Sequence, residues 1–136
     1  HTISTAEKGV GNIKNSDQTP LGLHSVKEKH GKNTPLNGRM IGRVFYGEIA
    51  TIHSDTTRSK TDDITTRILW LTGEEEHYNK NGNVDSYQRY IYIHGTSEEG
   101  LLGKPASHGC IRMKNTAVLE LYNKIAIGTK VLILDK

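Results

Sequence analysis

Short apolar runs separated by glycines dominate the chain, a pattern typical of many strands joined by turns. Residues 21–27, which follow the turn-like Thr19-Pro20, predict a strand. Residues 41–52 are apolar and β-branched but contain two glycines, so they predict a pair of short strands or a bulged ribbon. Residues 64–71 are rich in β-branched and aromatic side chains and predict a central strand. Residues 131–134 predict a buried closing strand.

The clearest strand prediction covers residues 87–94, because their side chains alternate between two faces. One face carries Arg89, Ile91 and Ile93, and the other carries Tyr90, Tyr92 and His94. The first face can pack into a core. The second presents two phenols and an imidazole, and the tyrosines are interpreted as packing residues with polar tips.

One helix is predicted near the C-terminus. Its apolar residues recur at helical spacing, at Val118, Leu121, Tyr122 and Ile125. Asn115 is the predicted N-cap, and Gly128 follows the expected end. Residues 51–63 predict a loop, and residues 73–86 a long polar loop of the kind that serves as a lid. The chain is therefore predicted to be a single, mainly β domain, 1–136, with one substantial helix.

Composition and charge narrow the class of protein. Hydrophobic residues make up 34% and charged residues 24% of the chain, which is typical of a polar chain that folds. The net charge of +3 is spread along the sequence, so no basic stripe indicates a nucleic-acid partner. No stretch is long enough for a membrane span. Because the sequence starts at His1, we expect it to be trimmed at its N-terminus, which leaves any membrane anchor unknown.

Cys110 is the single cysteine, which excludes an internal disulfide and a zinc finger. A lone cysteine is more often a small buried residue than a catalytic one, so the residues around it are needed to tell which of the two roles it has. Since a free thiol has a pKa of about 8.5, it needs a base or a cation to become a nucleophile. His94, at the end of a predicted strand, is the better candidate base, and a glycine-containing loop can bring the cysteine back to it.

The residues around Cys110 each have a candidate role. Gly109 permits unusual backbone angles, and its amide and that of Cys110 could line an oxyanion hole. Arg112 could bind a carboxylate, lower the thiol pKa or be a surface ion-pair partner. His108 could shape the nucleophile loop, whereas Ser107 lacks the setting of a serine nucleophile. A metal site made of the cysteine and the two histidines is an alternative, disfavoured because no second thiol or acidic ligand lies in the motif.

Two motifs together resemble the L,D-transpeptidase catalytic domain, also called the YkuD domain. They are Ile93-His94-Gly95-Thr96 and Ser107-His108-Gly109-Cys110-Ile111-Arg112-Met113. The resemblance extends to residues 3–6, 18–22, 64–70 and 85–94 and so covers nearly the whole chain.

The resemblance implies a β-sandwich-like domain that acts on bacterial peptidoglycan, outside the cytoplasmic membrane, in cell-wall biogenesis and cell shape. It implies a thioester acyl-enzyme, formed on a tetrapeptide stem with release of D-Ala and resolved by an amine of a second stem into a 3→3 cross-link. It also implies no cofactor, no metal and possible binding of carbapenems. Carried over by position, Cys110 is the nucleophile, His94 the base and the Gly95 carbonyl its orienting group. Ser107, His108, Gly109, Arg112 and Tyr92 are the expected substrate-binding or oxyanion residues.

The motifs leave the acceptor open. Water in place of the amine would make an L,D-carboxypeptidase, and a protein lysine would make a lipoprotein-anchoring transpeptidase. A non-catalytic cell-wall-binding module with the same fold is a third alternative, disfavoured by the intact His94 and Cys110.

Overall fold

Strands and one helix build the framework of the fold. The computed structural model describes residues 1–59 and 62–135. Within them the strands are β1 (Ile3–Ser4), β2 (Gly22–His30), β3 (Gly38–Ile41), β4 (Val44–Ile49), β5 (Ile64–Gly73), β6 (Tyr92–Gly95), β7 (Ile111–Met113) and β8 (Lys130–Ile133). The helix α1 spans Asn115–Lys124, and two 3₁₀ turns cover Gly82–Val84 and Glu99–Leu101.

The strands form one curled sheet in the order β1-β7-β6-β5-β2-β8, with the hairpin β3–β4 attached beside β5. Every pairing of these strands is antiparallel except that of β6 with β7, which is parallel. The mainly β fold with one helix after the cysteine is confirmed, as is the central position of residues 64–71. The parallel pair holds His94 and the segment after Cys110 side by side.

The core lies between the sheet and α1. Leu69, Ile93, Ile111 and Val118 belong to one buried apolar cluster, at most 6% exposed. Burying each such side chain stabilises the fold by roughly 1.5–3 kcal/mol. The strands that carry the catalytic candidates are thus anchored by their opposite faces.

Asn115 is not the N-cap of the helix but its first residue, after the N-cap Lys114. The orphan amide of Asn115 donates instead to Glu99 Oε2 at 2.8 Å. The Asn115 side chain is fully buried and accepts hydrogen bonds from the hydroxyls of Thr65 and Thr66, each at 2.6 Å. The sequence prediction was wrong because this polar side chain joins the helix to β5 rather than capping the helix.

The remaining strand predictions differ in their bounds. β2 extends to His30, beyond the predicted end at residue 27. The predicted pair within residues 41–52 is a hairpin over 38–49, closed by Gly42 and Arg43 with φ of 56° and 69°. Residues 51–59, 62 and 63 carry neither helix nor strand, as predicted, and residues 60 and 61 lie outside the described residues.

The strand predicted over 87–94 is wrong for its first half. The Tyr90 amide donates to the Tyr87 carbonyl at 3.1 Å and Tyr90 has φ of 58°, so these residues form a turn. Both tyrosine rings stack on Trp70, at centroid distances of 4.3 and 5.7 Å. Aromatic packing therefore overrides the strand-like alternation here.

Two further predictions concern the ends of the sheet. β8 is an edge strand rather than a buried one, since Leu132 is 59% exposed. The predicted long loop begins after Gly73 and is held against β2: the fully buried Asn79 donates to the carbonyls of Leu21 and Leu23 at 3.1 and 3.0 Å. Its role as a lid stays a prediction.

Candidate active site

The parallel pairing of β6 and β7 brings the two motifs together. Ile93 pairs with Ile111 and His94 pairs with Arg112. Because side chains alternate along each strand, the isoleucines face the core while His94 and Arg112 face the opposite side. Cys110 lies just before β7, and its Sγ is 3.4 Å from the backbone nitrogen of Tyr92. That N–H points at the sulfur.

The loop before Cys110 is fixed by hydrogen bonds at both ends. The Ser107 hydroxyl donates to the Cys110 carbonyl at 2.6 Å and accepts from the Gly109 amide at 3.2 Å. Gly109 has φ of +129°, which a residue with a Cβ rarely adopts. Its carbonyl accepts from the fully buried Thr19 hydroxyl at 3.1 Å. Ser107 and Thr19 therefore position the loop that carries Cys110, and the Gly109 amide already has an acceptor.

His94 is buried, with 1% of its surface exposed, and its Nδ1 contacts the Gly95 carbonyl. A carbonyl only accepts, so Nδ1 carries the proton and Nε2 is left with the basic lone pair. Burial lowers the pKa of His94, although the Gly95 carbonyl and Asp62 act in the opposite direction. The imidazole is therefore neutral at pH 7 and able to accept a proton.

Gly95 is a glycine for reasons of space. A Cβ at this position would lie 2.4 Å from Asn115 Oδ1 and 2.7 Å from the Thr65 carbonyl. The carbonyl that orients His94 thus sits on a segment clamped between α1 and β5.

The Cys110 thiol is protonated in the resting structure. Burial raises its pKa to about 12, against the opposing effect of the hydrogen bond from the Tyr92 amide. The Sγ–H donates to the Tyr90 carbonyl at 3.3 Å. The two groups at rest are accordingly a neutral thiol and a neutral imidazole, so a nucleophilic role of this thiol would require a base.

Arg112 lies inside a network of carboxylates. Its side chain is 2% exposed, its Nη1 is 2.6 Å from Glu98 Oε1, and its Nη2 is 2.5 Å from Asp62 Oδ1. His108, 64% exposed, contacts the other oxygen of Asp62 through Nδ1 at 3.0 Å. Burial acts to raise the pKa of Asp62, but the net shift is downward. The charge of Arg112 is the main cause, and His94 and the hydrogen bonds from His108 and Arg112 act in the same direction. The ion pair of Arg112 is buried, not a surface pair.

An aromatic cluster lies beside the thiol. Cys110 packs against the cluster that contains Trp70 and Tyr92, whose rings meet edge to face at 5.3 Å. The Arg43 guanidinium lies 4.6 Å above the Trp70 ring and donates to the Tyr92 hydroxyl at 3.0 Å. The turn of the hairpin β3–β4 thereby contacts the aromatic cluster beside Cys110 from a distant part of the sequence.

Sequence reasoning missed Asp62, Glu98, Thr19 and Arg43. One signal could have found the carboxylates: an arginine next to a motif in a buried strand requires anionic partners. The turn-like Thr19-Pro20 and the resemblance over residues 18–22 mark Thr19 as part of a turn but not as a partner of the Cys110 loop, and nothing local in the sequence marks Arg43.

Clefts open on two sides of His108. One, of about 180 Å³, is lined among others by Arg89, Tyr90 and His108. The other, of about 120 Å³, is lined among others by Asp62, His108 and Arg112. In the described part of the chain, no three or more His, Cys, Asp or Glu side chains are grouped so as to hold a metal ion. None of the helices over residues 1–59 and 62–135 has the length and apolar character to cross a membrane.

Comparison with known proteins gives one family. The model of the L,D-transpeptidase catalytic domain, YkuD, matches residues 1–133. The chain is 54% identical over 47 residues to YqjB of Bacillus subtilis and 38% identical over 64 residues to YkuD of the same organism. It is 38% identical over 48 residues to YbiS of Escherichia coli. The names of all three assign them to the L,D-transpeptidases.

These alignments are partial. They cover 35%, 47% and 35% of this chain and 27%, 31% and 16% of the three relatives, respectively. Less than a third of each relative is therefore compared.

Proposed function

The chain belongs to the L,D-transpeptidase catalytic domain family, and from this premise we propose that it forms 3→3 cross-links in peptidoglycan through a thioester on Cys110. The observation that carries the proposal is the placement of His94 on β6 beside β7, the parallel strand that Cys110 immediately precedes, with the lone pair of His94 on Nε2 because Nδ1 contacts the Gly95 carbonyl. Burial lowers the pKa of His94 and raises the pKa of Cys110 to about 12, which agrees with an uncharged base and an uncharged thiol at rest. Family membership supports peptidoglycan as the substrate. It also supports action outside the cytoplasmic membrane of a bacterium.

In the first half-reaction, Cys110 Sγ attacks the carbonyl at the L-centre of the third residue of a tetrapeptide stem. The thiol proton passes to His94 Nε2, and the Tyr92 N–H stabilises the sulfur as it becomes negative. The C–N bond to D-Ala then breaks, and the proton on His94 passes to the departing amine. A thioester on Cys110 and free D-Ala result.

In the second half-reaction, an amine of a neighbouring stem attacks the thioester. His94 accepts a proton from the amine, the C–S bond breaks, and the leaving sulfur takes the proton back. The developing negative oxygen in both halves needs backbone donors. Because the Gly109 amide donates to Ser107, we assign this role first to the Cys110 amide.

Product analysis tests the acceptor. The protein is incubated with a purified tetrapeptide muropeptide, and the products are separated and weighed by mass spectrometry, with Cys110→Ala as the control. The proposal predicts a dimer whose mass is that of two muropeptides minus one D-Ala. A trimmed tripeptide without dimer would identify an L,D-carboxypeptidase instead. Unchanged substrate and no covalent adduct on the protein would favour a non-catalytic wall-binding module.

A β-lactam serves as a second probe of the same thiol. Attack of Cys110 Sγ on the strained carbonyl of a carbapenem breaks the ring C–N bond, and the nitrogen takes the proton but stays attached to the acyl group. Because nothing leaves, we expect a stable adduct on Cys110 of one carbapenem mass. Adduct formation on Cys110→Ala would overturn the assignment of the nucleophile.

A further inference from the structure

A cationic cleft adjoins the nucleophile on the side of the Tyr90 turn. It has a volume of about 180 Å³, and its charged or titratable lining residues are Lys14, Asp17, Arg89 and His108. Tyr90 lines it as well, and the carbonyl of Tyr90 accepts from Cys110 Sγ at 3.3 Å. A ligand in this cleft would therefore contact Tyr90, the residue whose carbonyl the Cys110 thiol contacts.

Arg89 is a partly desolvated cation with neutral partners. It donates to the carbonyls of Gly11 and Gln18 at 3.3 and 2.7 Å and to the Ser16 hydroxyl at 3.3 Å. These bonds use three of the five N–H donors of a guanidinium and so leave two. Within residues 1–59 and 62–135 no carboxylate forms an ion pair with Arg89. Burial lowers the pKa of Arg89, and a negative charge on Cys110 or Asp17 acts in the opposite direction.

The other charges of the cleft leave it net positive. Lys14 is exposed and makes no ion pair in the described part of the chain. The carboxylate of Asp17 is directed to a different cation, with its Oδ2 3.7 Å from Lys8 Nζ. A partly desolvated guanidinium and an ammonium in one cleft match an anion that accepts one hydrogen bond from each, as the two oxygens of a carboxylate can.

We propose that the cleft between Arg89 and Lys14 binds a carboxylate of the donor stem and that these two residues set specificity for stems carrying it. The proposal rests on the proposed function, since it names the part of the peptidoglycan stem that the same site recognises. Two carboxylates of a tetrapeptide stem share this chemistry: the terminal carboxylate of D-Ala and a carboxylate on the side chain of a diamino acid.

The test compares donors within each enzyme variant. Three synthetic tetrapeptide stems are used: one with both carboxylates free, one with the terminal carboxylate replaced by a carboxamide, and one with the side-chain carboxylate replaced. The rate of Cys110 acylation is measured by intact mass, and the ratio of kcat/KM for the free stem to that for each amide is the readout. A ratio within one variant is insensitive to partial loss of folded protein.

We expect the wild type to prefer the free stem to one of the two amides roughly tenfold, as for one charge-assisted hydrogen bond. The amide that loses activity identifies the carboxylate. Lys14→Gln should reduce this preference about threefold, and the charge reversal Lys14→Glu should abolish it. Arg89→Lys keeps the charge, but an ammonium has only three N–H donors, as many as the three present partners use, so this variant should reduce the preference as well. Lys104→Gln, an equal change of net charge at a residue that lines none of the clefts beside the nucleophile, should leave it unchanged.

Two outcomes separate this proposal from the function on which it rests. Equal acylation by all three stems, or an unaltered ratio in Lys14→Glu, would overturn the carboxylate subsite while leaving the transpeptidase assignment intact. Absence of acylation by every stem would overturn the proposed function itself.

Discussion

Replacement of Arg112 by methionine tests the buried ion network around β7, the strand that follows Cys110. The side chains of Arg112 and Glu98 are 2% and 5% exposed, and their charged atoms lie 2.6 Å apart. Removal of the guanidinium leaves Glu98 as a buried carboxylate without its cation. Asp62 loses one of the two ion-pair partners that it has among residues 1–59 and 62–135. Breaking a buried pair in this way costs about 3–5 kcal/mol, a large part of the about 5–15 kcal/mol that stabilise a typical domain.

Urea denaturation measures this effect directly. We expect Arg112→Met to lower the free energy of unfolding by about 3–5 kcal/mol. In the double variant Arg112→Met/Glu98→Gln no charge is left buried at the former pair, and the glutamine oxygen can still accept from the Ser59 amide, as Glu98 does at 2.7 Å. The double variant should therefore be more stable than the single one.

The surface pair Lys124–Glu120 provides a matched control. Its Nζ and Oε1 are 2.7 Å apart, but the side chains are 68% and 53% exposed. Lys124→Gln should cost only about 0.3–0.5 kcal/mol, as exposed pairs four residues apart on a helix do. If Arg112→Met costs no more than this control, or if the double variant is less stable than Arg112→Met, the account of a buried, charge-balancing arginine is refuted.

Three further predictions follow from buried groups. Thr19→Val keeps the shape of the side chain but removes the hydroxyl that donates to the Gly109 carbonyl. Urea denaturation should therefore show a free energy of unfolding lower by about 1–3 kcal/mol, and acylation of Cys110 should slow. Unchanged values for both would contradict the positioning role of Thr19. Burial lowers the pKa of His24 below its unfolded value, so its contribution to stability is present above about pH 6.5 and is lost as the pH falls through that value toward the lower folded pKa. The fall in unfolding free energy between pH 7 and 5 should therefore be shallower in His24→Gln, and an equal slope would contradict this. Because burial raises the pKa of Cys110 to about 12, alkylation by iodoacetamide at pH 7 should be slower than that of free cysteine and still rise above pH 9; a plateau below pH 8 would show a stable thiolate.

The catalytic candidates could be predicted from sequence because they belong to two short segments on neighbouring strands. Alternation along residues 87–94 placed His94 opposite Ile91 and Ile93, and the structure has both isoleucines in the core although only the second half of that segment is a strand. The motif then indicated Cys110 without any knowledge of the sheet. Both inferences use only local chain geometry.

Partners from distant segments could not be predicted. Asp62 reaches Arg112 across 50 positions of the sequence, and Thr19 reaches Gly109 across 90. Neither contact leaves a local pattern, because each depends on how an irregular segment packs on the finished sheet. The turn at Tyr90 was missed for a related reason, since stacking on Trp70 outweighs the strand propensity of its neighbours.

The protonation states of Cys110 and His94 determine which reagents can reveal a catalytic thiol. A neutral thiol at rest means that slow alkylation is compatible with catalysis, so general thiol reagents do not separate an enzyme from a binding module. Only a substrate that brings its own electrophilic carbonyl next to His94 can do so.

Intact-mass analysis of the protein after brief exposure to a tetrapeptide stem tests the central claim most directly. The account predicts an adduct equal to the stem minus D-Ala, located on Cys110 by peptide mapping, lost in Cys110→Ala and formed much more slowly in His94→Gln. An adduct that persists in Cys110→Ala, or an unmodified wild type that nonetheless converts the stem, would contradict it.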